Sequence, residues 1–256
     1  LSAQLDKSIT ELQAANQKLR DDIEQERRID KMRQQFISSV SHELKTPIAL
    51  IQGYAEGLKM DVAEDEASKD YYCEVIIDEA GKMNRMVKEL LDLSQIEAGY
   101  LPLRVSAFDI GALVGDVLKK YELLFRDKGV ELECRPQEMW VEGDITRIEQ
   151  VLGNYLNNAI DHVDEKRQIR VTIENTGDQV RVSVFNSGAA IPAEAIDKIF
   201  TSFYKVDEAR TRALGGTGLG LSIVRAIMEQ HHNAYGVLNQ PGGVSFWFDL
   251  KAVSKP

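Results

Sequence analysis

Ser41-His42-Glu43-Leu44-Lys45-Thr46-Pro47 sits inside a helical pattern. Ile37, Val40, Leu44, Ile48, Ile51, Ala55 and Leu58 recur at steps of three and four. That spacing predicts one buried face on a helix running over about 30–60. His42 falls off the stripe and is expected to face water. A neutral imidazole in that setting is a nucleophile, and Glu43 beside it can orient the ring or take its proton. Pro47 has no backbone N–H and is expected to kink the helix one turn beyond the histidine. Taken alone, the His-Glu pair reads more simply as a solvated surface histidine. The rest of the chain has to decide.

Upstream, Leu5, Ile9, Leu12, Asn16, Leu19 and Ile23 form a seam with alternating steps of four and three. This predicts a coiled coil over 1–28, with Asn16 at an a-type position that favours a parallel, in-register dimer. A single amphipathic helix is the alternative. The seam then slips phase before Ile29, Met32 and Phe36, a discontinuity of the kind that locally rewinds a coiled coil. Downstream, the acidic stretch 61–70 reads as a turn. A second seam follows at Tyr72, Ile76, Glu79, Met83, Met86, Leu90 and Leu93; Glu79 is anomalous in it. Gly99 is the expected C′ residue. Two long helices joined by a turn form an α-helical hairpin. Each arm is only half buried alone, so the hairpin is expected to dimerise as a four-helix bundle.

Composition bounds the rest. The chain has 256 residues, 43% of them hydrophobic and 28% charged, enough for about two folded domains. A net charge of −10 supplies no basic face for nucleic acid. Cys73 and Cys134 lack metal-type spacing, which points away from zinc and toward a reducing compartment. No apolar run nears the ~20 residues that span a bilayer, and no signal peptide opens the chain. The sequence starts at Leu1 rather than Met, so it reads as a fragment whose upstream part could include a membrane span.

From about 104 the texture becomes mixed. Asp109 is expected to cap a helix to about Lys128, and Asp144 another to about His162. Strands are expected at 130–134, 169–174, 180–186, 234–238 and 244–250, with a hairpin turn at 175–178 and a helix over 219–231. Helices and antiparallel strands in this mixture predict a two-layer α/β sandwich.

Four constellations in this half bear on chemistry. Asn154, Asn158 and His162 share one helix face at steps of four. Amide oxygens there suit Mg²⁺, a hard cation, although Asn pairs on helices also simply face solvent. Asn186-Ser187-Gly188-Ala189-Ala190-Ile191-Pro192 follows a strand. It permits a tight turn against a flat ligand, or only a strand-ending turn. In Phe200-Thr201-Ser202-Phe203-Tyr204-Lys205 the two phenylalanines are expected in the core, with Lys205 placed to meet phosphate. Gly215-Gly216-Thr217-Gly218-Leu219-Gly220-Leu221-Ser222 opens a helix, and glycines at a helix N-terminus admit phosphate to backbone N–H groups. This is neither a P-loop, lacking Gly-Lys-Ser/Thr, nor a Rossmann fingerprint, since no strand leads into it. The charged stretch 206–215 is expected to cover a nucleotide.

Taken in order, these motifs resemble the sensor histidine kinases of two-component systems over nearly the whole chain. The 41–47 stretch is similar to the family's H box and 154–162 to its N box. The segments 186–192, 200–205 and 216–221 are similar to its first glycine box, F box and second glycine box, and residues 1–28 resemble the last helix of a HAMP linker. The resemblance implies four parts: a coiled-coil signalling helix (1–28), a dimerisation and phosphotransfer domain (29–99), a hinge (100–103) and a GHKL-type ATP-binding domain (104–256). It implies ATP-dependent phosphorylation of His42 and transfer to an aspartate on a response regulator's receiver domain. The whole would be the cytoplasmic portion of a membrane-anchored homodimeric sensor. Glu43 would be the general base for His42, and Thr46 would position water for dephosphorylating the regulator. Asn158, with Asn154 second, would hold Mg²⁺. Asp161, His162, Asn186, Gly188, Ile191, Tyr204, Lys205, Gly216, Thr217, Gly218, Leu219 and Gly220 would complete the ATP site. The chain departs from the family at Asn186, where Asp is usual, and at Ala190, where Gly is usual. An amide oxygen accepts the adenine amino group without charge assistance, so ATP binding is expected to be modestly weakened. The rival readings are a chaperone-like or topoisomerase-like ATPase, which lacks a preceding histidine helix, and a dimeric scaffold with a degenerate nucleotide site.

Overall fold

The computed structural model describes residues 2–206 and 216–255, with side chains described at 16–27 and from 30 onward. The nucleotide cover expected at 206–215 lies, apart from Val206, outside the described residues, as do the seam side chains of Leu5, Ile9, Leu12 and Ile29. The chain divides into two compact units, Leu1–Glu79 and Ala80–Pro256. Each is taken by itself.

The first unit is dominated by α1 (Ser2–Lys59). It is one continuous helix, so the histidine helix expected over about 30–60 is not separate from the 1–28 segment. Neither Gly nor Pro occurs before Pro47, so the shift in apolar phase near Ile23 changes the stripe without breaking backbone hydrogen bonding. Pro47 lies within the helix. Leu19, Ile23, Met32 and Ile37 are exposed, a stripe of apolar surface along one chain. α2 (Glu66–Glu97) begins inside the acidic stretch expected to be turn. Asp65 accepts the Ser68 backbone N–H at 2.6 Å and caps it, and Glu66 sits in the first turn, where carboxylates are favoured. The two helices close on each other where Gly57 faces Tyr72. A Cβ on Gly57 would lie 2.7 Å from that ring. Tyr54 and Tyr72 meet edge to face at 4.9 Å. The far end of α2 closes as expected. Gly99 has φ +68°, its N–H donates to Ile96 O, and the Tyr100 N–H donates to Gln95 O, a Schellman arrangement that only glycine adopts without strain.

The second unit is an α/β sandwich on a seven-stranded sheet, ordered β1-β3-β7-β5-β4-β2 with β6 also on β7. The strands are β1 (Ser106–Asp109), β2 (Glu131–Cys134), β3 (Trp140–Gly143), β4 (Gln168–Asn175), β5 (Gln179–Ser187), β6 (Tyr235–Gln240) and β7 (Gly243–Ala252). Among the described residues the helices are α3 (Ile110–Lys128), α4 (Ile145–His162), the short α5 (Ala193–Ile196) and α6 (Gly220–Gln230). The sheet is mixed rather than antiparallel throughout, because β2 pairs with β4 in parallel. β1 and β3, four residues each, were not read from the sequence.

Side-chain period sets the layers. Val180, Val182 and Val184 of β5 and Val244, Phe246, Phe248 and Leu250 of β7 are buried. On α4 the buried positions are Ile148, Val151, Leu152, Tyr155, Leu156 and Ala159, at helical steps. Each such apolar side chain contributes on the order of 1.5–3 kcal/mol. Tyr155 stacks against Phe246, and its hydroxyl donates to Trp247 O at 3.2 Å, so its polar tip is satisfied in the core. Both expected caps form. Asp109 accepts the Gly111 N–H, and Asp144 accepts those of Thr146 and Arg147.

The start of α4 is fastened a second time. The Asp144 N–H donates to His231 Nε2 at 3.0 Å, and His231 Nδ1 meets Ile227 O at 2.8 Å. Nδ1 therefore carries the proton and Nε2 is a bare acceptor. Burial holds the imidazole below its ordinary value, against the Ile227 hydrogen bond and the Asp144 charge. A depressed histidine stabilises the fold when neutral. That contribution is whole above about pH 6.5 and is lost as pH falls below it and through the native value. The melting temperature is expected to drop over that window, and His231→Ala, though less stable at neutral pH, should show a shallower drop. Melts at several pH values test this; equal slopes for the two chains would refute it.

Candidate functional site

β5 is the middle strand and delivers the site. The alternation that buries Val180, Val182 and Val184 puts Asn186 next on the same face, 3% exposed. A polar side chain at the end of an apolar stripe needs a partner. Its Nδ2 donates to Ser187 O at 3.1 Å. Ser187, 1% exposed, is tied to the end of α4: its hydroxyl donates to Asp164 Oδ1 at 2.6 Å, and its carbonyl accepts the Asp164 N–H. The Ser187 hydrogen bond holds the Asp164 carboxyl below its usual range. Gly188 has φ +153°, and a Cβ there would come within 2.9 Å of His162 O. The chain thus passes His162 at a separation only glycine allows. Further on, Ile191 is held by both its backbone groups. Its N–H donates to Asn239 Oδ1, and Asn239 Nδ2 donates to its carbonyl.

α4 supplies the next wall. Asn154, Asn158, Asp161 and His162 are all half-buried. The Asn158 side chain makes no hydrogen bond among the described residues, so its amide is available. Asn154 Nδ2 is buried and unpartnered, and a Cβ on Gly220 would lie 3.2 Å from Asn154 Oδ1. Gly220 therefore lets the start of α6 come close to Asn154. Burial raises the Asp161 carboxyl, opposed by the charge of Lys128.

The third wall joins 200–205 to 216–220. The Phe203 N–H donates to Gly218 O at 2.8 Å, and both residues have positive φ, +64° and +74°. A Cβ on Gly218 would lie 3.0 Å from Phe203 Cα and 3.4 Å from Lys205 Cε, which places Lys205 beside the glycines. Phe200 is buried and packs on Tyr235 and Phe246. Phe203, expected in the core, is only half-buried: its left-handed backbone belongs to the loop contact instead. Tyr204, Gly216 and Thr217 are half-buried and Leu219 is fully buried.

Thr217 also has a partner that the sequence did not suggest. Its hydroxyl donates to Glu89 Oε2 at 2.6 Å and accepts the Leu219 N–H. Burial pushes the Glu89 carboxyl up, against that hydrogen bond and the charge of Arg85. One turn on, Asp92 takes Arg147 Nη1 at 2.9 Å and also binds Gln150. In this unit the last part of α2 is thus fixed to α4 and to the glycine stretch. Acidic residues on a helix surface carry no sequence signal for such long-range pairing.

The other expected residues belong to the first unit. His42 and Thr46 are exposed and Glu43 is half-buried, but the apolar stripe expected to be buried is not: in the single chain Ile37, Ile48 and Ala55 are exposed and Val40, Leu44, Ile51 and Leu58 only half-buried. Among the described residues no His, Cys, Asp and Glu cluster could hold a metal, and no helix is long and apolar enough to cross a membrane.

Residues 143–254 match the family of histidine kinase-, DNA gyrase B- and HSP90-like ATPases, and residues 32–99 match the His Kinase A (phospho-acceptor) domain. The sensor protein SrrB of Staphylococcus aureus is 33% identical over 233 residues, which is 90% of this chain and 40% of that protein. The chain thus spans well under half the length of this relative. Among solved structures, the catalytic domain of histidine kinase ThkA is 36% identical with a TM-score of 0.52; the likeness covers 58% of this chain and 95% of that one. Histidine kinase ThkA in complex with the response regulator protein TrrA is 32% identical with a TM-score of 0.71, over 86% of this chain and 61% of that one.

Proposed function

The chain belongs to the sensor histidine kinases, and on that premise we propose that it transfers the γ-phosphoryl group of ATP to His42 and then to an aspartate on a response regulator. The observation that carries the proposal is the convergence, in one unit, of a half-buried unpartnered Asn158 amide, the Asn186 strand end and the Phe203–Gly218 loop contact. α4 links them, since Gly188 lies against His162 O and Gly220 against Asn154 Oδ1; a base would lie toward Asn186 and phosphates toward Gly218.

ATP fits the residues present. Gly188 and Gly218 let the chain pass His162 O and the Phe203 backbone at distances a Cβ would not allow, which keeps backbone near the proposed ligand free of side chains, and Lys205 stands beside Gly218. Mg²⁺ fits as well: Asn158 offers an unengaged neutral oxygen, which suits a cation that keeps waters and phosphate oxygens in its shell. Asn154, braced on Gly220, would act second. When bound, the ion would neutralise charge on the phosphates. Asn186 would accept from the adenine amino group, Asp161 and His162 would line the pocket, and Ile191, Tyr204, Gly216, Thr217, Leu219 and Gly220 would shape its walls. Thr217 would have to exchange Glu89 for the nucleotide.

His42 is exposed, and Glu43, next in sequence, would take the ring proton. Thr46, one turn on, would position a water in the reverse, phosphatase direction. The exposed seam residues of α1 would pair with a second copy in a four-helix bundle. The 100–103 segment would be the hinge that lets 104–256 move relative to the helical hairpin, although the compact units divide earlier, within α2. ThkA is seen with a response regulator, which supports a receiver domain as the partner here. SrrB is named a sensor, which supports a sensing role for the protein as a whole; membrane anchoring, a HAMP link and action on the cytoplasmic side are proposed from the resemblance of residues 1–28 to a HAMP helix alone.

The general-base role is testable separately. Glu43→Gln is expected to slow phosphoryl incorporation at saturating Mg-ATP by about 10²-fold or more, with ATP affinity unchanged. Single-turnover incorporation measures the first and a binding titration the second. An unchanged rate would remove Glu43 from the mechanism.

A further inference from the structure

We propose that Ser187 and Asp164 are positioning residues that set base selectivity, by fixing the Asn186 amide as a hydrogen-bond acceptor. The inference rests on the nucleotide reading above. A carboxylate at position 186 could only accept. An amide can do either: turned one way it accepts from the 6-amino group of adenine, turned the other it donates to the 6-oxo group of guanine or hypoxanthine. Loss of the usual Asp therefore puts base selectivity at risk, unless something fixes the amide.

The geometry supplies that constraint. Asn186 is 3% exposed and its Nδ2 donates to Ser187 O at 3.1 Å. A carbonyl oxygen only accepts, so the amide cannot turn over without setting two oxygens against each other. Oδ1 accepts no hydrogen bond among the described residues and is the atom left for a ligand. The Ser187 carbonyl is in turn held in place. It accepts the Asp164 N–H at 3.1 Å; the Ser187 hydroxyl donates to Asp164 Oδ1 at 2.6 Å and accepts the Gln168 N–H at 3.1 Å. Asp164 Oδ1 also takes the Lys166 N–H at 3.0 Å. Gly188, beside the amide, is fixed from the other side by donating to Gly242 O at 3.1 Å. The strand end is thus fastened to the segment after α4 by the buried Ser187 hydroxyl and by the backbone bond from Asp164.

The test compares Mg-ATP with Mg-ITP, which differ in their purine at the 6-position and N1. The unsubstituted chain is expected to bind ATP about tenfold more tightly than ITP. Ser187→Ala and Asp164→Ala, each removing the same bond from one side, are expected to bring that ratio down about fivefold, toward equality. Adding Asn186→Asp to Ser187→Ala is expected to restore discrimination, because a carboxylate cannot donate however it turns. General loosening of the pocket would not be cured by that addition. The proposal is overturned if both single variants keep the ratio within about twofold of the original, or if the added Asp fails to restore it. If the unsubstituted chain binds neither nucleotide, the underlying ATP reading fails and this inference with it.

Discussion

His42→Gln is expected to abolish phosphoryl incorporation from ATP while leaving ATP affinity within about twofold of the original. Glutamine is close to histidine in size and polarity but has no nucleophilic nitrogen. His42 is exposed on α1, so its replacement empties no core space and should move the melting temperature little. The residues assigned to the nucleotide lie in the second unit, between 154 and 220, so the base and phosphate contacts are untouched. The two effects are therefore separable: binding by titration, incorporation by label. Persisting incorporation in the variant would place the acceptor elsewhere.

Gly218→Ala is expected to weaken ATP binding by on the order of ten- to a hundredfold and to reduce labelling of His42 accordingly. Gly218 has φ +74°, where a Cβ costs roughly 1–2 kcal/mol by itself. The added carbon would also stand 3.0 Å from Phe203 Cα and 3.2 Å from its carbonyl carbon. Backbone cannot rotate away as a side chain can, so the Phe203 N–H to Gly218 O bond has to lengthen or break. Its loss separates the 200–205 segment from the start of α6, the two pieces assigned to the phosphates, and shifts Lys205 with them. The sheet and α4 do not depend on that contact, so the fold should survive. Titration with a nucleotide alongside a thermal melt checks both halves of the expectation. Affinity within twofold of the original would show that the loop contact is not part of the site.

The parts of the fold visible in sequence are those where one local rule acts without competition. Asp109 and Asp144 precede amphipathic stretches and cap helices. Gly99 and Gly129 end helices with positive φ. β5 and β7 carry an apolar period of two. β1 and β3 stayed hidden because Ser-Ala-Phe-Asp and Trp-Val-Glu-Gly lack the apolar alternation that marked the equally short β2. The parallel register of β2 on β4 stayed hidden because pairing partners are not written locally. The phase slip near Ile23 was legible as a change of stripe. Backbone continuity, set by the absence of Gly and Pro, was the stronger determinant, and α1 runs through.

The site followed the same division. Asn186, Gly188, Gly218 and Gly220 were legible as residue types that a phosphate and a flat base require. The supports were not. Ser187 pairs with Asp164 across 23 positions, Asn239 with Ile191 across 48 and Thr217 with Glu89 across 128. Each supporting residue is an ordinary Ser, Asp, Asn or Glu until the fold brings its partner near. Phe203 shows the converse: a phenylalanine after a core phenylalanine reads as core, yet its backbone conformation serves the loop.

The central claim is that His42 is the phosphoacceptor. The most direct measurement incubates the chain with Mg²⁺ and γ-labelled ATP, treats the product with acid and with alkali, and maps the labelled residue. The account predicts a single phosphoryl group on His42, lost in acid and retained in alkali as a phosphorus–nitrogen bond requires. Release of free phosphate with no protein-bound label, or an acid-stable label at another residue, would contradict it.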